Sequence, residues 1–274
     1  MPSNFSKPVS LLKAALVNKD ECGQVKVKNG KGRIVNGKTV RPPHSQPWMV
    51  TVSKNKYRNQ QKKWGSYGCG GTLISRRHIL SAAHCAKYCP ISYMPENCMD
   101  KEVNWATLGD HDKDIKDGEI YIPIAKPYVW HPKSRQNSPP NGAFVYDYAI
   151  FVLKRCVVFN DYIQPACLPR APRYDPYKDT YIYDNYVGEK VTVSGWGHTK
   201  YRGKHSNVLQ YVDIEVLRDD ICEDIMFMKS VSIPFNTKYL MCAGDPKNWD
   251  KDACQDDSGG SKLKVLSTFL LELF

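Results

Sequence analysis

Cys254-Gln255-Asp256-Asp257-Ser258-Gly259-Gly260 lies near the end of the 274-residue sequence, and the fold is decided by what accompanies this stretch upstream. A serine behind two carboxylates and ahead of two glycines suits a nucleophile on a tight turn. The glycines let the backbone approach a reacting carbonyl, and such a turn exposes both the serine oxygen and neighbouring N–H groups. Alone, the run is ordinary turn chemistry, because Asp, Ser and Gly build most surface turns. It gains meaning only if a base and an orienter for Ser258 stand elsewhere in the chain.

Both are found. Short β-type runs at 48–53, 71–75 and 78–81 have the length of barrel or sandwich strands, and the last leads into Ala82-Ala83-His84-Cys85. A histidine beside a cysteine at the end of a buried strand is a candidate general base, although a lone one is more often a satisfied core residue. Further on, Tyr146-Asp147-Tyr148-Ala149-Ile150-Phe151-Val152-Leu153 carries an aspartate into a continuously apolar strand. A carboxylate so placed is partly buried and needs a hydrogen-bond partner, and an imidazole N–H is one. His84, Asp147 and Ser258 thus suit base, orienter and nucleophile.

The rest of the composition bounds the reading. Apolar residues make up 42%, and eighteen Gly and eighteen Pro punctuate short Val-, Ile- and Tyr-containing runs, which favours a globular β protein. Length mildly favours two cores. Much of the net charge of +11 sits in residues 1–33 and in the run holding Lys54, Lys56, Arg58, Lys62 and Lys63. No basic helix or aromatic RNA-binding motif accompanies it, so these read as solvated segments rather than a nucleic-acid surface. Ten cysteines without a Cys-x-x-Cys pair point to an oxidising, extracellular compartment, although Met1–Val17 makes a poor signal peptide. No run has the length of a membrane span.

Several stretches carry local expectations. Arg33 followed by Ile34-Val35 is a candidate processing site at the end of a basic segment. Cys89 and Cys98 bracket a loop and read as a local pair. The acidic density of Leu108–Glu119 suits a solvated loop or a Ca²⁺ site without EF-hand spacing. Ile120, Ile122 and Ile124 alternate as a half-buried strand does, as do Val191 with Val193 and Val212, Ile214 and Val216. Residues 170–187 read as a surface linker and 218–229 as a short helix.

Five motifs then agree in order and rough spacing: Arg33-Ile34-Val35-Asn36-Gly37, Ala82-Ala83-His84-Cys85, Asp147 before its apolar strand, Ser194-Gly195-Trp196-Gly197, and Asp257-Ser258-Gly259-Gly260. Over Arg33 to about Gly260 the chain resembles a trypsin-like serine protease of the chymotrypsin family. The resemblance implies an all-β fold of two antiparallel Greek-key β-barrels, the second incomplete. Its divisions would be a propeptide with a basic extension (1–33), a first barrel (34–169), a linker (170–187), a partial second barrel (188–260) and a non-family apolar tail (261–274).

The resemblance also implies a serine endopeptidase zymogen with His84, Asp147 and Ser258 as its triad. The N–H groups of Ser258 and Asp256 would form the oxyanion hole, and Asp252 would lie at the base of a pocket for Arg or Lys. Cleavage after Arg33 by an activating protease would free the amino group of Ile34 to pair with Asp257. Cys69 would pair with Cys85, Cys222 with Cys242, and Cys22 with Cys167. Asp110, Asp117 and Glu119 fall near the family's calcium loop; no cofactor is otherwise required. Partners would be protein or peptide substrates, the activating protease and protease inhibitors.

Three departures stand against this pattern. Asp256 occupies a position where the family has Gly, which weakens the oxyanion hole. After Gly260 the sequence offers only a short apolar segment where the family supplies further strands and a helix, so the second half is expected to be unstable. Cys254 and Cys156 are left without family partners. The rival reading is therefore an inactive or truncated homologue acting as a binding module.

Overall fold

The computed structural model describes residues 21–27, 38–53, 68–86, 104–126, 129–130, 147–169, 173–182, 185–197, 205–228, 241–245, 262–264 and 270–271. Seven strands form the first sheet: β2 (Met49–Ser53), β3 (Gly68–Leu73), β4 (His78–Ser81), β5 (Trp105–Leu108), β6 (Ile120–Pro123), β7 (Val129–Trp130) and β8 (Ala149–Val152). They run in the order β6-β5-β2-β3-β4-β8-β7, with every neighbouring pair antiparallel. An antiparallel bridge between Ile124 and Leu153 joins the end of β6 to the end of β8 and curls the sheet into a barrel. Two flanking bonds support that closure, Ala125 N–H to Val152 O at 2.7 Å and Lys154 N–H to Pro123 O at 2.9 Å.

Inward side chains of these strands make one apolar cluster, in which Val50, Val52, Leu73, Ile79, Ile122, Phe151, Leu153 and Ile163 are fully buried. Burying a side chain of this size contributes roughly 1.5–3 kcal/mol. The cluster admits no side chain at Gly71 on β3. A Cβ there would come within 2.8 Å of the Ile79 Cγ2 methyl, itself locked in the core, so the glycine permits close packing of β3 on β4.

The second sheet contains β1 (Lys38–Thr39), β11 (Lys190–Gly195), β12 (Gln210–Val216), β13 (Ala243–Gly244), β14 (Lys262–Lys264) and β15 (Leu270–Leu271). Its path is β1-β12-β11-β14-β15, with β13 beside β12. The alternation expected in β12 holds: Val212, Ile214 and Val216 are buried while Asp213 and Glu215 are half-buried, and Val191 and Val193 join the same cluster from β11. On the other face Thr192 Oγ1 donates to Asp213 Oδ1 at 2.6 Å across the strands. Lys262–Lys264, which the sequence reading assigns to the tail, pairs with Val191–Val193 as β14.

Helix α1 (Ala83–Ala86) follows β4 directly, and α2 (Asp219–Met228) answers the helix expected over 218–229. Asp219 and Asp220 in its first turn oppose the positive helix end. The expected linker contains regular structure. β9 (Arg173–Asp175) and β10 (Thr180–Ile182) form a separate two-stranded hairpin whose turn residue Tyr177 is 98% exposed.

Three disulfides match the pairings implied by the resemblance: Cys22–Cys167, Cys69–Cys85 and Cys222–Cys242. Cys156 is free and exposed. Cys89, Cys98 and Cys254 lie outside the described residues.

Candidate active site and the seam between the barrels

Strand pairing brings two of the three candidate catalytic residues to one place. Ser81 at the end of β4 pairs with Ala149 at the start of β8. Because the strands are antiparallel, α1 with His84 leaves the sheet at the end where Asp147 enters it. The helix is fixed from beneath. Ala82, Cys85 and Ala86 are fully buried, Cys85 N–H donates to Ala82 O at 3.1 Å, and Cys85 is bonded to Cys69 on β3 with a Cα–Cα separation of 6.0 Å. Ser81 Oγ donates to Gly70 O at 2.7 Å, tying the last residue of β4 to the same strand. Asp147 is half-buried. The side chain of His84, and all of Asp252, Asp256, Asp257, Ser258, Arg33 and Ile34, lie outside the described residues.

Between the two sheets lies a seam that sequence reasoning did not find. Its apolar part is a cluster of Val40, Trp48, Met49, Ala166, Trp196 and Leu209. Its polar part is the loop after β5. Leu209 N–H and Trp196 Nε1–H both donate to His111 O, at 2.9 and 3.2 Å, and Lys113 N–H donates to Asn207 O at 2.8 Å. The Lys113 ammonium sits 4.7 Å from the Trp196 ring centroid while its residue is only 8% exposed, a desolvated cation over an aromatic face. On the far side β1 pairs with β12, and Val40 N–H donates to Leu209 O at 2.8 Å.

The acidic loop is built around its own backbone. Asp117 Oδ2 accepts from Asp112 N–H at 3.0 Å, and Glu119 Oε2 accepts from Asp117 N–H at 3.0 Å. Asp114 Oδ2 accepts from the Asn207 amide at 2.6 Å, across the seam. Asp110, Asp117 and Glu119, which the resemblance places near the family's calcium loop, all lie on this segment between β5 and β6. Gly118, at φ 115°, is required here: a Cβ would meet the Tyr162 ring at 2.8 Å.

Tyr162 in turn stacks on His44, with ring centroids 4.1 Å apart, and His44 faces His111 at 5.8 Å and the Asp117 carboxylate at 3.7 Å. Burial lowers the pKa of His44, against the opposing pull of Asp117, Glu119 and a Gly109 backbone bond. Burial likewise lowers that of His111, helped by His44 and Arg41 and opposed by Asp117 and Asp112. Both rings are neutral in the folded chain at pH 7 and bind protons more readily once unfolded. In the window below the ordinary value of 6.5 the unfolded state therefore takes up more protons, and stability falls as pH falls. The thermal midpoint should be flat from pH 8 to about 7 and drop below about 6.5, with the drop reduced in His111→Asn. An identical pH profile in that variant would remove the seam histidines from the account.

Two packed antiparallel sheets, with a histidine helix and an aspartate at one end of the same strand pair, define a class: an all-β protein of the chymotrypsin type. Comparison with known proteins narrows it. A family model described as Trypsin matches residues 34–264, and the chain belongs to that family of serine proteases. It is 33% identical to a venom protease of Bombus pensylvanicus over 214 residues, covering 78% of this chain and 75% of that protein. It is 31% identical to the clotting factor G beta subunit of Tachypleus tridentatus over 252 residues, covering 89% and 69% respectively. Against the proclotting enzyme of Tachypleus tridentatus the figures are 30% over 237 residues, covering 86% of this chain but 56% of that protein. A solved structure described as GrC is 26% identical and covers 86% of each chain with a TM-score of 0.59. Among the described residues no helix is long and apolar enough to cross a membrane.

Proposed function

We propose that the chain is a secreted serine endopeptidase zymogen that cleaves after Arg or Lys once it has itself been cut after Arg33. The observation supporting this most directly is the Ser81–Ala149 pairing, which delivers α1 and Asp147 to one end of β4 and β8 in a chain of the trypsin family. Ser258 Oγ attacks the peptide carbonyl carbon as His84 takes its proton. Asp147 holds the imidazole tautomer and stabilises the imidazolium. The N–H groups of Ser258 and Asp256 receive the oxyanion. His84 then gives its proton to the departing amine, and water repeats the sequence on the acyl-enzyme. Asp252 at the pocket base pairs with the substrate cation. The disulfides, and relatives named as venom and clotting proteins, support export.

A second reading, an inactive homologue that works by binding, is favoured by Asp256 standing where the resemblance puts Gly. The first reading predicts that the Arg33-cleaved protein hydrolyses an Arg p-nitroanilide about 10²-fold or more faster, in kcat/KM, than the Phe analogue. Equal rates on the two would remove Asp252 from the pocket; no hydrolysis of either by folded, cleaved protein would favour the second reading.

A further inference from the structure

The end of the first barrel opposite His84 and Asp147 gathers the positive charge that the proposed chemistry does not use. There the segment after β8 is bonded to two others. Leu153 N–H donates to Arg77 O at 2.8 Å and Val157 N–H to Arg76 O at 2.7 Å, while Lys154 N–H donates to Pro123 O at 2.9 Å. Arg77 Nε donates back to Leu153 O at 2.8 Å, and the Arg76 guanidinium lies 4.3 Å from the Phe159 ring centroid. Five exposed cations are thereby drawn to one rim: Arg76, Arg77, Lys126, Lys154 and Arg155. The described segments that build this end, 74–78, 104–105, 122–126 and 152–158, contain no Asp or Glu. Val152, at the end of β8, lies five residues beyond Asp147 along the chain, so the rim stands roughly 17 Å from Asp147.

Between Lys126 and Lys154 opens a groove of about 420 Å³ lined by Trp105, Pro123 and Ile124. A polyanion that binds through charge alone has no use for such a lining. A peptide carrying both carboxylates and an apolar side chain matches rim and groove together.

We propose that this end of the first barrel is a docking site for an acidic polypeptide segment. Its carboxylates meet Lys126, Lys154, Arg155 and Arg76, and an apolar side chain enters the groove at Trp105, Pro123 and Ile124. The site stands independently of whether the chain is an active peptidase, because it lies on the opposite end of β4 and β8 from the proposed chemistry.

The test is fluorescence anisotropy with the full chain and a fluorescein-labelled decapeptide that has four glutamates on either side of a Phe-Leu pair. Lys154→Glu with Arg155→Glu should weaken binding about ten-fold or more, because two attractions become repulsions. Among the described residues no hydrogen bond uses either side chain, so the fold should survive, as an unchanged thermal midpoint would verify. A charge-matched control at the exposed Lys116 and Lys190 should stay within about twofold of the original affinity. Replacing Phe-Leu by Ser-Ser in the peptide should cost about fivefold or more. Equal affinity in the rim variant and the parent overturns the proposal. So does equal binding of the Ser-Ser peptide, and a heparin-derived oligosaccharide binding as tightly as the Phe-Leu peptide would then mark the face as a surface for polyanions in general.

Discussion

Asp256→Gly should raise kcat/KM of the Arg33-cleaved chain on an Arg p-nitroanilide by about 10²–10³. The resemblance to the chymotrypsin family puts Gly at this position because its N–H must point at the oxyanion with a backbone shape that suits Gly. Losing one such donor costs roughly 2.7–4 kcal/mol. The carboxylate adds repulsion towards the developing negative charge, at most about 4 kcal/mol for 4 Å and an effective dielectric of 20. Asp256→Asn separates the two effects, since it removes charge and keeps the side chain. Recovery in Asn comparable with Gly would assign the defect to charge, whereas recovery in Gly alone would assign it to backbone shape. No gain in either variant would contradict the assignment of this N–H to the oxyanion hole.

Removing the Cys22–Cys167 disulfide should be the most damaging single change to stability. It closes a separation of 145 residues, for which chain-entropy arguments give about 5 kcal/mol. Cys22 is buried, and the adjacent Gly23 N–H donates to Pro165 O at 2.7 Å, so the tether is seated against the barrel and not dangling from it. At roughly 2–4 °C per kcal/mol for a chain of this size, Cys22→Ser with Cys167→Ser should lower the thermal midpoint of the uncut chain by about 10–20 °C. After cleavage following Arg33 the same disulfide no longer closes a loop. Its loss would then release residues 1–33 as a free peptide on a non-reducing gel. A drop of less than about 3 °C in the uncut double variant would show that the bridge contributes little to folding.

How much of this was legible beforehand depends on where the physical cause lies. The strands of β12 and β4 could be read directly because their apolar alternation is local: Val212, Ile214 and Val216 each bury one face of the same strand. The pairing of Cys22 with Cys167 was legible only through the resemblance, since nothing in the spacing links residues so far apart. The β9–β10 hairpin was missed because its described side chains, Asp175 apart, are exposed and its short strands show no apolar alternation. Its signal was turn chemistry alone, with Asp179 at φ 48° accepting from the Tyr174 hydroxyl at 2.6 Å. The seam was invisible for a different reason: His44, His111 and Tyr162 come from three separate loops. The hydrogen bonds of the acidic loop's carboxylates to its own N–H groups and to Asn207 were not disclosed by its acidic spacing. Of the candidate triad, the shared position of α1 and Asp147 was legible through motif order, and Ser258 lies outside the described residues.

The central claim is that Ser258 is a nucleophile activated by His84 and Asp147. Its most direct measurement is labelling of folded, Arg33-cleaved protein by a fluorophosphonate, followed by intact mass. The account predicts one phosphonate adduct per chain, absent in Ser258→Ala and formed far more slowly in His84→Ala. Labelling that persists in Ser258→Ala, or none in protein that melts cooperatively and has been fully cut after Arg33, would contradict it.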